Sequence, residues 1–304
     1  MAQVRAVGLP GGDKLNLQQL NREDVLGFNQ RKRHSSTRRG ISSWYVTGPG
    51  IEARLTAWLC GQEKILDTLR AGEKDIYAAN AKGWGLIPAD VKDFKQYCKD
   101  TPGQADLRQH VKAGVLACGF SAGWKAIQRS NPGMDRDQCQ AIVDMYRSRS
   151  PEVVAWWREL DALAARGYRT PSHSFALSLP SGRKLYYRNC YKKLIQPKDG
   201  RRPYFATCVD FGYKSSIVNT NLLSNNNIQS IARDLMVRTF NRLCKELEGA
   251  QPILLVHDEA VVMVPADRAE EYAQHIEQIM EETPQWASSL PLLAEPEIMD
   301  KYRK

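Results

Sequence analysis

Four short stretches of this chain hold residues whose types and spacing could do chemistry. The densest is Leu254-Leu255-Val256-His257-Asp258-Glu259-Ala260-Val261-Val262-Met263-Val264. Two apolar runs flank a tight acidic break, a pattern that predicts a hairpin of buried strands. Adjacent carboxylates at the tip of a buried hairpin, Asp258 and Glu259, suit a divalent cation, because Mg²⁺ prefers hard oxygen ligands and few of them. An ordinary solvated turn would have the same composition.

In the second stretch, Arg108, Lys112, Leu116 and Phe120 are each four residues apart and fall on one stripe of a helix. Two cations, an aliphatic and an aromatic residue along one face could hold a triphosphate at one end and stack a base at the other. A surface helix with snorkelling cations and a core aromatic fits the same spacing. The third stretch, Asn225-Asn226-Asn227-Ile228-Gln229, puts Asn225 and Gln229 four apart at an expected helix start, where amides can donate to a nucleic-acid backbone or base edge. N-capping accounts equally well for the asparagines, though not for Gln229. The fourth, Val46-Thr47-Gly48-Pro49-Gly50-Ile51-Glu52-Ala53-Arg54, is a strand ending just before a helix, a frequent place for a site and also a frequent plain connection.

Elements must position these residues. A short strand over Ser43–Thr47 is predicted to precede a helix through Ile51, Leu55, Trp58, Leu59, Ile65, Leu66 and Leu69. Further helices are expected over Asp106–Cys118, Asp135–Arg147 and Val153–Arg166. His173–Leu179 and Lys184–Arg188 read as strands joined by Pro180-Ser181-Gly182-Arg183. A long helix from about Asn226 to Leu247, the acidic hairpin and a helix over Asp267–Met280 complete the order. The class is α+β, with the first strand and the late hairpin able to share one antiparallel sheet.

Bulk properties bound the function. The 304 residues are 42% hydrophobic and 25% charged, ordinary for a globular protein with room for two subdomains. The net charge is +9, and residues 1–40 hold eight Lys/Arg against three acids, which suits a phosphate backbone or, equally, a solvated arm. Seven cysteines without a CxxC pair, and five histidines, argue against a disulfide framework and a zinc site. With no signal peptide and no apolar run long enough to span a bilayer, a cytoplasmic protein without a membrane partner is expected.

Taken in order, the four segments resemble the C-terminal half of a family A DNA polymerase, the class of bacterial DNA polymerase I and many phage replicases. Ile51-Glu52-Ala53-Arg54 matches the first catalytic motif; Arg108, Lys112 and Phe120 the fingers helix; Asn225 and Gln229 the primer side; and Val256-His257-Asp258-Glu259 the last motif. Gly12-Asp13-Lys14-Leu15-Asn16-Leu17-Gln18, Asp75-Ile76-Tyr77, Leu179-Pro180-Ser181-Gly182-Arg183 and Trp286-Ala287 extend the likeness over nearly the whole chain. The resemblance implies a palm over 1–60 and 216–304, fingers over 61–215, Mg²⁺ as cofactor, and primer–template DNA and dNTP as partners. It implies catalytic roles at Asp258, Glu259 and Thr47, and metal contacts at Asp258 and Gly48. Nucleotide would meet Arg108, Lys112, Leu116, Phe120 and Glu52; DNA would meet Asn225, Gln229, His257 and Arg54.

Three departures stand against it. The first catalytic aspartate of the family lies four residues before the position of Ile51, and here Thr47 stands there, a neutral and poor ligand for a hard dication. Leu116 replaces a usually aromatic or bulky residue. The match also begins near the start of the chain, leaving no room for the family's thumb or exonuclease-like domain, so a separate thumb or exonuclease subunit is expected. Two functions follow: the catalytic half of a split, phage-type polymerase acting in a bacterial cell, or a degenerate polymerase that binds DNA or a replication partner without catalysis.

Overall fold

Strand β1 (Ile41–Thr47) lies inside a four-stranded sheet of order β7-β8-β1-β9, where β7 is Gln251–Val256, β8 is Glu259–Pro265 and β9 is Glu295–Met299. The computed structural model describes residues 41–47, 50–170, 172–197, 202–210, 215–256 and 259–299. β1 runs antiparallel to β8, with Ile41 opposite Pro265 and Thr47 opposite Glu259. The early strand and the late hairpin therefore share one antiparallel sheet, as the apolar runs predict. Ala260, Val262 and Val264 of β8 are buried against the helix α10 (Ala269–Glu281), through Tyr272, Ala273, Ile276 and Ile279. β9 is a partner of β1 that the sequence pattern did not announce.

The helical block begins with α1 (Ile51–Cys60) and α2 (Glu63–Arg70), which together replace the single helix expected over this stretch. Gly61 breaks it. Its φ of 69° is left-handed, and the N–H groups of Gly61 and Gln62 donate back to Trp58 and Ala57, closing the helix end. There follow α3 (Ile76–Gly83), α4 (Phe94–Asp100), α5 (Leu107–Cys118), α6 (Trp124–Ser130), α7 (Arg136–Arg149) and α8 (Pro151–Gly167). Their shared core gathers Leu66, Trp84, Val111, Ile142, Tyr146 and Trp157. Asp135 and Gln138 form a capping box at the start of α7. α5 crosses α7 at Gly114, where an added Cβ would lie 3.3 Å from Ile142 Cγ2.

Two small sheets connect this block to the rest. β2 (Phe175–Ser178) pairs with β3 (Lys184–Tyr187) across the turn at Gly182, and β4 (Tyr191–Ile195), β5 (Tyr204–Asp210) and β6 (Ser215–Ile217) form a meander. The first hairpin is tied to the long helix α9 (Thr220–Glu246) by Arg183 and Ser181, both bonded to Asp234. α9 starts at Thr220, earlier than the asparagine run suggests. Asn219 is its cap, accepting from the Leu222 N–H at 2.9 Å, so Asn225 and Gln229 sit inside the helix rather than at its start. No helix among the described residues is long and apolar enough to cross a membrane.

At Gly167, the last residue of α8, an added Cβ would come within 2.5 Å of Phe175 Cδ1. The Phe175 ring is itself stacked on Tyr187 at 4.7 Å and cannot retreat freely. Gly167→Ala is therefore expected to cost about 1–3 kcal/mol and lower the melting temperature. Gly133→Ala, where nothing lies within 4 Å, is the control. Equal melting of the two variants would mean that the β2–β3 hairpin does not depend on this packing.

Candidate functional site

The sheet fixes the first half of the site. Thr47 ends β1 and lies opposite Glu259, the first residue of β8, so the strand end and the acidic hairpin meet at one end of the sheet. Glu259 is 2% exposed. A carboxylate this deep needs polar or cationic company to stay ionised. Asp258, His257 and Gly48 lie outside the described residues, as does the side chain of Thr47. Among the described residues, no three His, Cys, Asp or Glu side chains gather into a metal-binding group.

The second half is a cavity of about 800 Å³, lined from Gly50 onward by the residues that follow β1. The start of α1 supplies Glu52, α3 supplies Tyr77 and Asn80, α5 and the residues after it supply Leu116 and Phe120, and α9 supplies Gln229. Glu52 and Gln229 are joined by a hydrogen bond from the amide Nε2 to the carboxylate Oε1, linking the fourth and third stretches singled out by residue type. Asn225 lies one turn earlier on α9, half-buried and outside the cavity lining.

One end of the α5 stripe, Leu116 and Phe120, lines the same cavity, whereas Arg108 and Lys112 lie outside the lining. Leu116 is 52% exposed and projects into the open space, an unusual position for a leucine that only packs a core. At the other end, Arg108 Nη2 donates to Asp75 Oδ2 at 2.9 Å, and its Cζ lies 5.4 Å from the centre of the Tyr77 ring. Lys112 Nζ lies 6.0 Å from the same ring. Asp75 does double duty, since its Oδ1 caps α3 by accepting from the Tyr77 N–H. Burial pushes the Tyr77 phenol up, with the Asp75 charge adding to the effect and Arg108 opposing it. The phenol thus stays a neutral hydrogen-bonding group under ordinary conditions. Tyr77, Asn80 and Asp75 were not among the expected site residues. Asp75-Ile76-Tyr77 was visible as a motif, but nothing in its composition marks it as a wall of the site.

Arg54 requires a correction. Expected to meet DNA, it is instead 2% exposed, and its guanidinium donates to the carbonyls of Pro291 and Lys74 at 3.1 and 2.9 Å. Burial pulls its pKa down, while Glu281 and Glu295 act to hold the charge. It clamps α1 to the chain segments before α3 and β9.

Comparison with known proteins fits this geometry. Residues 12–304 match the family model for DNA polymerase family A. The DNA polymerase of Bacillus phage SP02 is 30% identical over 283 residues, covering 86% of this chain and 41% of the phage protein. The thermostable DNA polymerase I of Thermus filiformis is 30% identical over 239 residues, 76% of this chain and 23% of that protein. Among solved structures, the polymerase domain of Pol1 from M. smegmatis, in complex with a DNA primer–template and dNTP, superposes with a TM-score of 0.56 at 18% identity. That match covers 84% of this chain and 39% of the other. The chain thus spans less than half the length of these relatives, and its α+β fold is that of a polymerase domain.

Proposed function

This chain belongs to DNA polymerase family A, and from that premise we propose that it carries the palm and fingers of a template-directed DNA polymerase. In this reading residues 1–60 and 216–304 are the palm and 61–215 the fingers. The reaction is transfer of a nucleotidyl group from dNTP to a primer 3′-hydroxyl. The observations that support it are the strand pairing of Thr47, three residues before Gly50, with Glu259, and the cavity that Gly50 lines together with Glu52, Leu116, Phe120 and Gln229.

Arg108 and Lys112 would hold the triphosphate as charge-assisted donors. Leu116 and Phe120 would bracket the base, and Glu52, oriented by Gln229, would meet the sugar. Asn225, Gln229 and His257 would follow the primer–template, whereas Arg54 is withdrawn from that role by its burial. The residue types that the family likeness assigns to metal, Asp258 with its neighbour Glu259 and the main chain of Gly48, offer oxygen donors that would suit a hard dication. When bound there, Mg²⁺ supplies charge stabilisation to the phosphoryl group in transfer. Thr47 contributes no charge to that set, which favours one well-held ion over two.

The same neutral Thr47 favours the second reading, a polymerase-derived module that binds DNA or a replication partner without turnover. In the first reading the chain works as the catalytic half of a split enzyme: Asp258, Glu259, Arg108 and Lys112 serve the chemistry and a second subunit brings a thumb or exonuclease module. Primer extension with Mg²⁺ and dNTPs, alone and with a thumb-bearing polypeptide added, decides between them. Extension that disappears in Asp258→Ala supports the enzyme. Salt-sensitive binding of primer–template, with extension no greater than that of Asp258→Ala under either condition, supports the binding module.

A further inference from the structure

Between Tyr168 and Thr207 the sequence holds nine Lys/Arg against one acid, Asp199, a surplus of eight in a chain of net charge +9. The same segment leaves Tyr186, Leu194, Tyr204 and Phe205 exposed, Phe205 at 62%. Register explains the exposure. Leu194 pairs with Phe205 and Lys192 with Thr207, all on one face of the β4–β5 pair. Thr207 is buried and donates to the Ala164 carbonyl of α8, and Val209 on the same face joins the core. α8 ends at Gly167. The face is therefore covered as far as Thr207 and left bare beyond it, at Phe205 and Leu194.

Cations flank the bare rings. Lys192 Nζ lies 4.4 Å from the centre of the Phe205 ring and 5.9 Å from that of Tyr168, and Arg169 Cζ lies 5.5 Å from the Tyr168 ring. The hydrogen bond from Arg169, with the charges of Arg169 and Lys192, pulls the Tyr168 phenol below its ordinary range. An acidic peptide would satisfy these charges and leave the rings in water. A bilayer would take up rings from one side only, yet Tyr204 and Phe205 are consecutive in β5 and face opposite ways. A flexible strand of nucleotides meets both demands, since every base has a face to stack and every phosphate a charge to neutralise.

We propose that the exposed face of the β4–β5 hairpin, with Phe205 and Lys192 as its centre and Tyr168 and Arg169 as its flank, is a stacking site for single-stranded nucleic acid. A base takes the face of the Phe205 ring, and the Lys192 ammonium moves from that ring to the neighbouring phosphate. The identity of the strand, the unpaired template, rests on the polymerase reading; the binding itself does not.

The test is fluorescence anisotropy of the full chain with a labelled oligothymidylate of about twelve nucleotides, without dNTP or metal, beside a blunt duplex of equal length. Phe205→Ala is expected to weaken single-strand binding about tenfold, since base–aromatic stacking is worth roughly 1–3 kcal/mol per base, and to change duplex binding less than about twofold. Phe205→Trp should restore it. Lys192→Glu should weaken it and flatten its salt dependence by about one phosphate contact. Phe205 is exposed, so unchanged melting of the variants is expected. Single-strand binding that ignores Phe205→Ala and Lys192→Glu overturns the proposal, as does equal loss on strand and duplex. Capture by phosphatidylserine vesicles through Phe205, with no oligonucleotide binding, also overturns it and makes the occupant a membrane. Because nucleotide and metal are absent, failure here with primer extension intact removes this surface alone, and loss of extension with strand binding intact removes the active-site reading alone.

Discussion

Thr47→Asp is expected to raise primer extension by at least about 30-fold. A unit charge about 4 Å from a cation is worth roughly 4 kcal/mol at the effective dielectric of a protein. If desolvation and screening remove half, about 2 kcal/mol remains, a factor of about 30 in rate. The geometry favours the substitution. Thr47 ends β1 opposite Glu259, so a carboxylate there enters the same end of the sheet as the acidic hairpin, on the neighbouring strand. Aspartate and threonine are similar in size, and the position lies at a strand end rather than mid-ladder. Wild type, Thr47→Asp and Asp258→Ala would be compared on one primer–template with Mg²⁺, dNTPs and a thumb-bearing polypeptide. If wild type already extends far above Asp258→Ala and Thr47→Asp adds nothing, another residue supplies the ligand, and Glu52 is the first to replace, by Gln. If none of the three extends, the binding-module reading stands.

What the sequence made legible here follows from which physical rules act locally. The pairing of β1 with β8 was readable because β8 is buried along almost its whole length and so reads as an apolar run. The helix expected from Asp135 was readable at its start, where Asp135 and Gln138 cap each other within one turn. β9 was not, since Glu295-Pro296-Glu297 lacks alternation; as an edge strand with a single paired neighbour, it tolerates proline and charge. The start of α9 was misplaced because Asn225–Asn227 look like caps, whereas inside the helix Asn226 donates to the Tyr187 hydroxyl and Asn227 is buried. The stripe from Arg108 to Phe120 was legible as spacing, but its partners Asp75 and Tyr77 were not, because the cavity is assembled from helices far apart in sequence. Arg54 shows the limit of motif transfer: the match predicted a contact, and packing turned the side chain inward to two carbonyls.

Lys112→Ala is expected to raise the KM for dNTP by about 10-fold to 100-fold, with primer–template affinity changed by less than about threefold. One charge-assisted hydrogen bond is worth about 1.5–3 kcal/mol, and each 1.4 kcal/mol is a factor of ten. Lys112 is suited to this role because its ammonium rests over the Tyr77 ring at the edge of the cavity, a weak hold that an incoming phosphate can outbid. Arg108 is held more firmly, by Asp75 at 2.9 Å as well as by the ring. Any triphosphate must compete with that carboxylate for the guanidinium. Asp75→Asn keeps a helix-capping side chain on α3 while removing the charge, so it is expected to lower the KM for dNTP a few-fold. The two variants should therefore move KM in opposite directions, and Asp75→Asn combined with Lys112→Ala should fall between them. Steady-state extension at varied dNTP, with primer–template binding measured separately, reads all three. Equal losses of nucleotide and DNA binding in Lys112→Ala would assign this end of the stripe to the DNA surface. A rise in KM in Asp75→Asn would mean that Asp75 holds Arg108 in its working position and does not compete for it.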